Sequence, residues 1–488
     1  MKSSLSATII GLALLGAGCT MAPKYNRPAA PVPAVWPAGA AYGTNVAAVR
    51  GSSVPDLAWR DFFTDEKLRE VISLALANNR DLRIAALNVE RARALYGIQR
   101  AGLFPVVNAS GTGVKSRVPA DLSSTGERHT TERYDANLGV ASWEVDFFGR
   151  IRSLKDRALE EYLATEQARR SAHILLVSAV AQAYLALAAD RESLALAETT
   201  LTAQQEAYDL VKRRYDLGLV PELEVFRAQT PLEVARRDVV FYTQQAAKDE
   251  NALNLLTGTP IPAELLPAGL SRVGPAQDIS AGVSSEVLLQ RPDVVQAEDL
   301  LKAANADIGA ARAAFFPRIS LTAAIGTASS DLSGLFKAGS GAWSYAPQIV
   351  MPIFDARTWS AHRAAKVQRE MAVAQYEKAI QSAFREVADA LAVRGTVARQ
   401  VAAQESLVQA LTETHRLATS RFERGIDSYL GVLDAQRSLF AAQQALVLFR
   451  LEQAASQVQL YAVLGGGWQD DPAPVLARSN PPAQPGEH

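Results

Sequence analysis

The chain has 488 residues, 48% of them hydrophobic, with 50 Lys plus Arg against 51 Asp plus Glu. Balanced charge excludes the basic footprint of a nucleic-acid partner, and there is no acidic tail. A lone cysteine, Cys19, excludes a disulfide within the chain. The five histidines (129, 173, 362, 415 and 488) form no H-E-x-x-H or i,i+4 pair, and neither G-x-S-x-G nor a phosphate-binding loop occurs. No catalytic residue, no metal and no cofactor other than a covalent lipid is therefore expected.

Residues 1–18 read as a targeting segment: Lys2 gives a positive charge, Leu5 to Ala17 a short apolar core, and Gly16-Ala17-Gly18 precede Cys19. This resembles the bacterial lipoprotein signal, in which the cysteine is lipidated and becomes residue one. Leu15 stands four positions before Cys19, where that signal prefers three. The resemblance implies acyl chains on Cys19, which anchor without spanning. Thr20 differs from the Asp of an inner-membrane retention signal. The alternative is a plain secretory signal with an incidental cysteine. Beyond residue 20, no apolar run approaches the roughly 18–20 residues of a membrane-spanning helix.

Residues 19–64 form a Pro-, Ala- and Gly-rich arm, either extended on another surface or a disordered tether. From Asp65, with Thr64 or Asp65 as cap, Leu68, Val71, Ile72, Ala75 and Leu76 recur at helical spacing. This pattern pauses at Asn78 to Asp81 and ends before Pro105. Over 106–147 the period falls to two, with Ala136, Leu138 and Val140 alternating with Asp135, Asn137 and Gly139, which predicts a β-hairpin. A Pro-free helical stretch follows over 150–217, then a turn at Gly218 and a returning helix over 221–257. Pro221 is tolerated in the first turn, and Pro231 predicts a kink or a late start. Residues 259–283 read as a linker.

The same order then recurs, an internal two-fold repeat. Gly97, Arg100, Ala101, Phe104 and Pro105 match Gly309, Arg312, Ala313, Phe316 and Pro317 at an offset of 212. Arg214-Tyr215-Asp216-Leu217-Gly218 matches Arg421-Phe422-Glu423-Arg424-Gly425 at 207. The first repeat spans 65–258. The second spans 284–465: a helix, a hairpin over 318–352, a long helix over 357–424 and a return over 428–464. A Pro-rich tail over 466–488 is expected to be disordered.

Four strands per chain, apolar on one face and small or polar on the other, cannot close a barrel alone. An open sheet cannot sit in lipid with unpaired edges. Two chains give eight strands, and three give twelve with room for a pore. Trp343 and Tyr345 fit an interfacial aromatic girdle. A soluble sandwich is the alternative. On the last helix Leu433, Phe440, Val447, Ala454 and Tyr461 recur every seven residues, a coiled-coil seam. Helices about 100 Å long suit either a rod or the wall of a tube.

Several motifs resemble the TolC/OprM-type outer-membrane efflux channels. They are L-A-L-A-N-N-R-D-L at 74–82, the two F-P boundaries, and R-[YF]-x-x-G with Y-L-G-V-L-D-A-Q-R-S-L-F in the turns. Cys19, Y-N-R-P-A-A-P at 25–31 and W-R-D-F-F-T-D at 59–65 resemble the lipoprotein branch serving resistance-nodulation-division (RND) pumps. The resemblance covers about 19–470. It implies a membrane α+β fold: a homotrimer whose twelve-stranded β-barrel, in outer-membrane lipid, is continuous with a long antiparallel coiled-coil α-barrel. It also implies an exit duct working with a periplasmic membrane-fusion adaptor, docked at the turns around Gly218 and Gly425, and an inner-membrane RND pump. The family's periplasmic gate falls on Leu430, Asp434 and Arg437. Their i,i+4 and i,i+3 spacing stacks them on neighbouring faces of one helix. By spacing alone, Asp434 with Arg437 reads rather as an ordinary surface ion pair worth ~0–1 kcal/mol; the resemblance is what favours the gate. A coiled-coil scaffold without a pore is the competing reading, and a lipid-anchored enzyme a distant third.

Overall fold

The computed structural model describes residues 20–42, 57–274, 276–279 and 284–468. Cys19, the signal segment and residues 469–488 lie outside them. The elements in chain order are α1 (Trp59–Phe62), α2 (Glu66–Asn78), α3 (Arg80–Ala101), β1 (Val107–Val118), β2 (His129–Val145), α4 (Arg150–Asp216) and α5 (Glu222–Thr257). Then come α6 (Pro292–Ala313), β3 (Arg318–Ser329), β4 (Gly341–Val350), α7 (Ala356–Glu423) and α8 (Tyr429–Val463).

Two compact units result, and neither coincides with a half of the sequence. One contains Asn88–Glu166 and Gln296–Tyr376 with the start of the arm; the other contains Ala30–Leu87, Gln167–Val295 and Glu377 onward. Each draws on both halves of the chain.

The first unit holds one four-stranded antiparallel sheet in the order β1-β2-β3-β4. The two hairpins are joined by β2 and β3. The pairs Ala109–Leu138, Leu138–Ile325 and Ile325–Trp343 form a row across all four strands. Val107, Val140, Ala323 and Tyr345 form the next row on the same face. The opposite face carries Ser110, Asn137, Gly326 and Ala342, with Thr112, Asp135 and Ser344 among its other members. A bulge lies between Val140 and Trp143 of β2. Ser142 there is the only non-glycine residue with positive φ (55°) among the described residues, and its N–H donates to Thr322 Oγ1 at 3.2 Å. One extra residue shifts the period-two phase, so Trp143 and Val145 stay on the apolar face opposite Leu321 and Ile319. Gly139 is required where the hairpins meet, because a Cβ there would lie 2.6 Å from the Ala323 carbonyl oxygen.

The arm is ordered where it is described. Within the first unit Glu298, buried on α6, accepts from Tyr25 Oη at 3.0 Å and from Arg27 Nε at 2.9 Å. Within the second unit Trp36 stacks on Phe384 of α7 at 5.2 Å between ring centroids. Extended chain with its polar groups satisfied by helices is thus the form composition left open.

In the second unit Asp65 caps α2, accepting from Leu68 N–H at 2.8 Å. Trp59, Phe62, Ile72, Leu253 and Tyr461 are fully buried, with Phe62 stacked on Tyr461 at 4.0 Å. α5 starts at Glu222 and runs through Pro231, so the proline neither delays nor ends it. The stretch 259–283 is more than a tether: Leu265, Leu266 and Leu270 are buried in it. Gly466 to Trp468, expected to begin the disordered tail, are packed, and Arg170 lies 4.6 Å over the Trp468 ring.

A pair of matched contacts closes each half. Asn79 Nδ2 donates to the Leu256 carbonyl at the end of α5 at 2.8 Å. Its counterpart Arg291 donates to the Val463 carbonyl at the end of α8 at 2.6 Å. Arg291 also pairs with Asp293 at 2.7 Å and Glu386 at 2.8 Å. Buried Arg291 thus joins three elements. Arg291→Ala orphans the carbonyl, but Asp293 and Glu386 are partly exposed and rehydrate, so the expected loss is about 2 kcal/mol. Urea unfolding of the detergent-solubilised protein checks this, with Arg291→Lys retaining only part of the stability because it lacks the fork.

Candidate functional site: the helix-turn tips

The two long hairpins end in turns with the same hydrogen bonds. At the first, Leu219 N–H donates to Arg214 O at 2.8 Å and Gly218 N–H to Tyr215 O at 2.7 Å. At the second, Ile426 N–H donates to Arg421 O and Gly425 N–H to Phe422 O, both at 2.9 Å. This is the Schellman closure, which needs a left-handed residue just past the helix. Gly218 and Gly425 supply it with φ of 71° and 70°. A Cβ at either would touch nothing within 4 Å. Glycine is there for its backbone and not for room, since L-residues pay about 1–2 kcal/mol in this region.

The two tips share one core. Val211 of α4, Ala228 of α5, and Tyr429 and Val432 of α8 are buried together, with Tyr208, Phe422 and Leu433 packed around them. Phe422 meets Tyr429 at 5.1 Å, and the Arg214 guanidinium lies 5.4 Å from the Phe422 ring centroid. Burial raises the Tyr429 phenol above its usual pKa. Arg421 and Asp427 pair across the second turn, and the guanidinium holds the Asp427 carboxyl below its usual range. Leu217, Leu219 and Ile426 at the turns remain exposed.

Leu430, Asp434 and Arg437 lie on the opposite side of α8 from this core, all exposed. At 100° per residue they fall within about 60° of one another. Asp434 Oδ1 accepts from Arg437 at 2.6 Å, and Leu430 is 52% exposed. The structure therefore brings the three onto one open stripe and pairs the charged two. Sequence reasoning missed Tyr429, the residue that fixes where this stripe faces. Its signal was available: Tyr429, Val432 and Gln436 share the spacing that leads into the heptad seam.

The chain thus combines a four-stranded sheet that has one apolar and one polar face with two long helical hairpins whose tips share a core. The chain belongs to the outer membrane efflux protein family, whose model matches residues 71–259 and 283–466; it is an outer-membrane protein. It is 48% identical over 471 residues, covering 96% of this chain and 97% of the relative, to the antibiotic efflux pump outer membrane protein ArpC of Pseudomonas putida. The toluene efflux pump outer membrane protein TtgC of Pseudomonas putida is equally similar, at 48% over the same shares. Among solved structures, the open state of the Neisseria gonorrhoeae MtrE outer membrane channel is 37% identical with a TM-score of 0.83, covering 92% of this chain and 99% of that one.

Proposed function

We propose that this protein is the outer-membrane exit duct of a tripartite multidrug efflux system. It conducts small molecules passively from an inner-membrane RND pump across the periplasm and outer membrane. The observation that carries this reading is the sheet. From Ile319 to Thr327 its apolar face extends about 27 Å along β3, comparable to the ~25 Å apolar band of outer-membrane barrels. β1 and β4 each leave a long edge without a partner among the described residues. Such edges are not tolerated in lipid, and three copies close a twelve-stranded barrel whose polar faces line a lumen. Trp343, 80% exposed on the apolar face, then sits in an aromatic girdle.

The long helices continue this barrel as a tube, closed at the periplasmic tip by Leu430, Asp434 and Arg437 from three copies. Exposed Leu217, Leu219 and Ile426 give a membrane-fusion adaptor an apolar foothold beside the Gly218 and Gly425 turns. A lipid on Cys19 anchors the arm, which Glu298 fixes a few residues further on. A conduit lined by small polar groups selects little, so the pump chooses the cargo. Planar-bilayer recordings of purified protein test this reading. Discrete openings are expected; inserted, oligomeric protein that never conducts would be a scaffold instead.

A further inference from the structure

The apolar face of the sheet changes character towards the hairpin loops. Beyond the row from Ala109 to Trp343, the same face carries Gly111, Ala136, Thr327 and Gly341. Next come Gly113, Tyr134 and Ser329, and then Lys115 opposite Glu132. Tyr134 Oη donates to Glu132 Oε2 at 3.1 Å, and Lys115 pairs with Glu132. An apolar band thus gives way to an aromatic hydroxyl and then to charge, the order in which a bilayer gives way to water.

The loop between β3 and β4 folds onto this face. Asp331 N–H donates to Ser329 Oγ at 3.2 Å, and a Cβ at Gly334 would lie 2.5 Å from that oxygen. Ser329 is in register with Tyr134 and, by alternation from Ile325, belongs to the apolar side. Asp331 is also within electrostatic reach of Tyr134 and Glu132. The loop is tied down by its own groups. Ser333 donates through Oγ to Asp331 at 2.8 Å, Ser340 Oγ donates to the Lys337 carbonyl at 2.8 Å, and Leu335 is buried.

Three side chains are left over. Leu332 and Phe336 are 63% and 80% exposed. Lys337 makes no close ion pair among the described residues and acts on Asp331 only at longer range. Large apolar side chains bared on an otherwise fixed loop mark a contact surface, and burying each is worth about 1.5–3 kcal/mol.

We infer that the β3–β4 loop is a foot on the outer wall of the barrel. Leu332 and Phe336 enter the boundary between headgroups and acyl chains, and the Lys337 ammonium meets the phosphate of an outer-leaflet lipid. The occupant is lipid because the loop continues the face read above as lipid-facing, just beyond Tyr134. A cation beside two apolar groups also matches a phosphate above acyl chains. The loop therefore lies beside the mouth of the barrel and not across it. This inference rests on the membrane barrel proposed above.

Fluorescence quenching tests it. Phe336→Cys and Leu332→Cys, each carrying a nitrobenzoxadiazole label, are placed in phosphatidylglycerol vesicles that contain a nitroxide-labelled lipid. Labelled Ile325→Cys reports the apolar band in parallel, and the unsubstituted chain corrects for any labelling of Cys19. Labels at 332 and 336 are expected to be quenched severalfold more by the lipid nitroxide than by aqueous iodide. Lys337→Glu should weaken lipid quenching at 336; no change would overturn the phosphate contact. Leu332→Ala with Phe336→Ala should leave single-channel conductance unchanged. A marked rise, or iodide quenching at 332 and 336 beside lipid quenching at 325, would overturn the foot while leaving the barrel standing. Iodide quenching at all three positions would overturn both.

Discussion

Replacing Leu430 and Asp434 together by alanine is expected to raise the single-channel conductance of the purified protein in planar bilayers severalfold. Both residues sit on the exposed stripe of α8, away from the Tyr429–Val432 core, so neither substitution disturbs the packing that joins the tips. In the proposed trimer, three Leu430 side chains around the axis would make an apolar constriction of the kind that gates by dewetting. A constriction that sets the barrier by as little as ~1.4 kcal/mol controls conductance by about tenfold. Losing Asp434 also frees Arg437 from the 2.6 Å pair, leaving three unpaired cations near the axis. Selectivity is therefore expected to shift towards anions, whereas an ordinary surface ion pair would change neither quantity. Unchanged conductance and unchanged reversal potential in inserted protein would remove the gate from this stripe.

Ile325→Arg is expected to abolish assembly into the outer membrane, while Ser344→Arg is tolerated. Ile325 stands in the row from Ala109 to Trp343 on the apolar face, and Ser344 belongs to the other face. An arginine facing lipid near mid-membrane costs about 2–4 kcal/mol per site. Three copies multiply that to roughly the whole stability of a domain. An arginine facing a wet lumen incurs no such penalty. Outer-membrane fractionation and heat-modifiable migration read the contrast. Equal insertion of both variants would mean that the sheet does not face lipid, and a soluble sandwich would then explain its alternation.

Much of this organisation was legible in the sequence because it is local. Period-two alternation around Leu138 and Ile325 set the two faces of each strand. Gly218 and Gly425 marked turns because positive φ is a property of single residues, and the heptad from Leu433 to Tyr461 marked a face that is buried at Val447 and Tyr461 and partly buried between. The spacing of Leu430, Asp434 and Arg437 put them on one side of a helix before any fold was known.

Tertiary structure decided which surface covers which. The alternation of β2 and β3 was readable, but their mutual pairing was not, nor was the bulge at Ser142 that keeps Trp143 in phase, because both depend on a partner 180 residues away. The repeat divides the sequence into two successive halves, whereas each compact unit draws on both. Tyr429 read as one more aromatic residue until the two tips closed over it. α3 and α6 are equivalent in sequence position, and only the folded chain shows that α6 has buried residues while α3 has none. The physical reason is common to all of these: periodicity fixes which face of an element is apolar, while the partner of that face is set by long-range closure, within the chain or with its next copy.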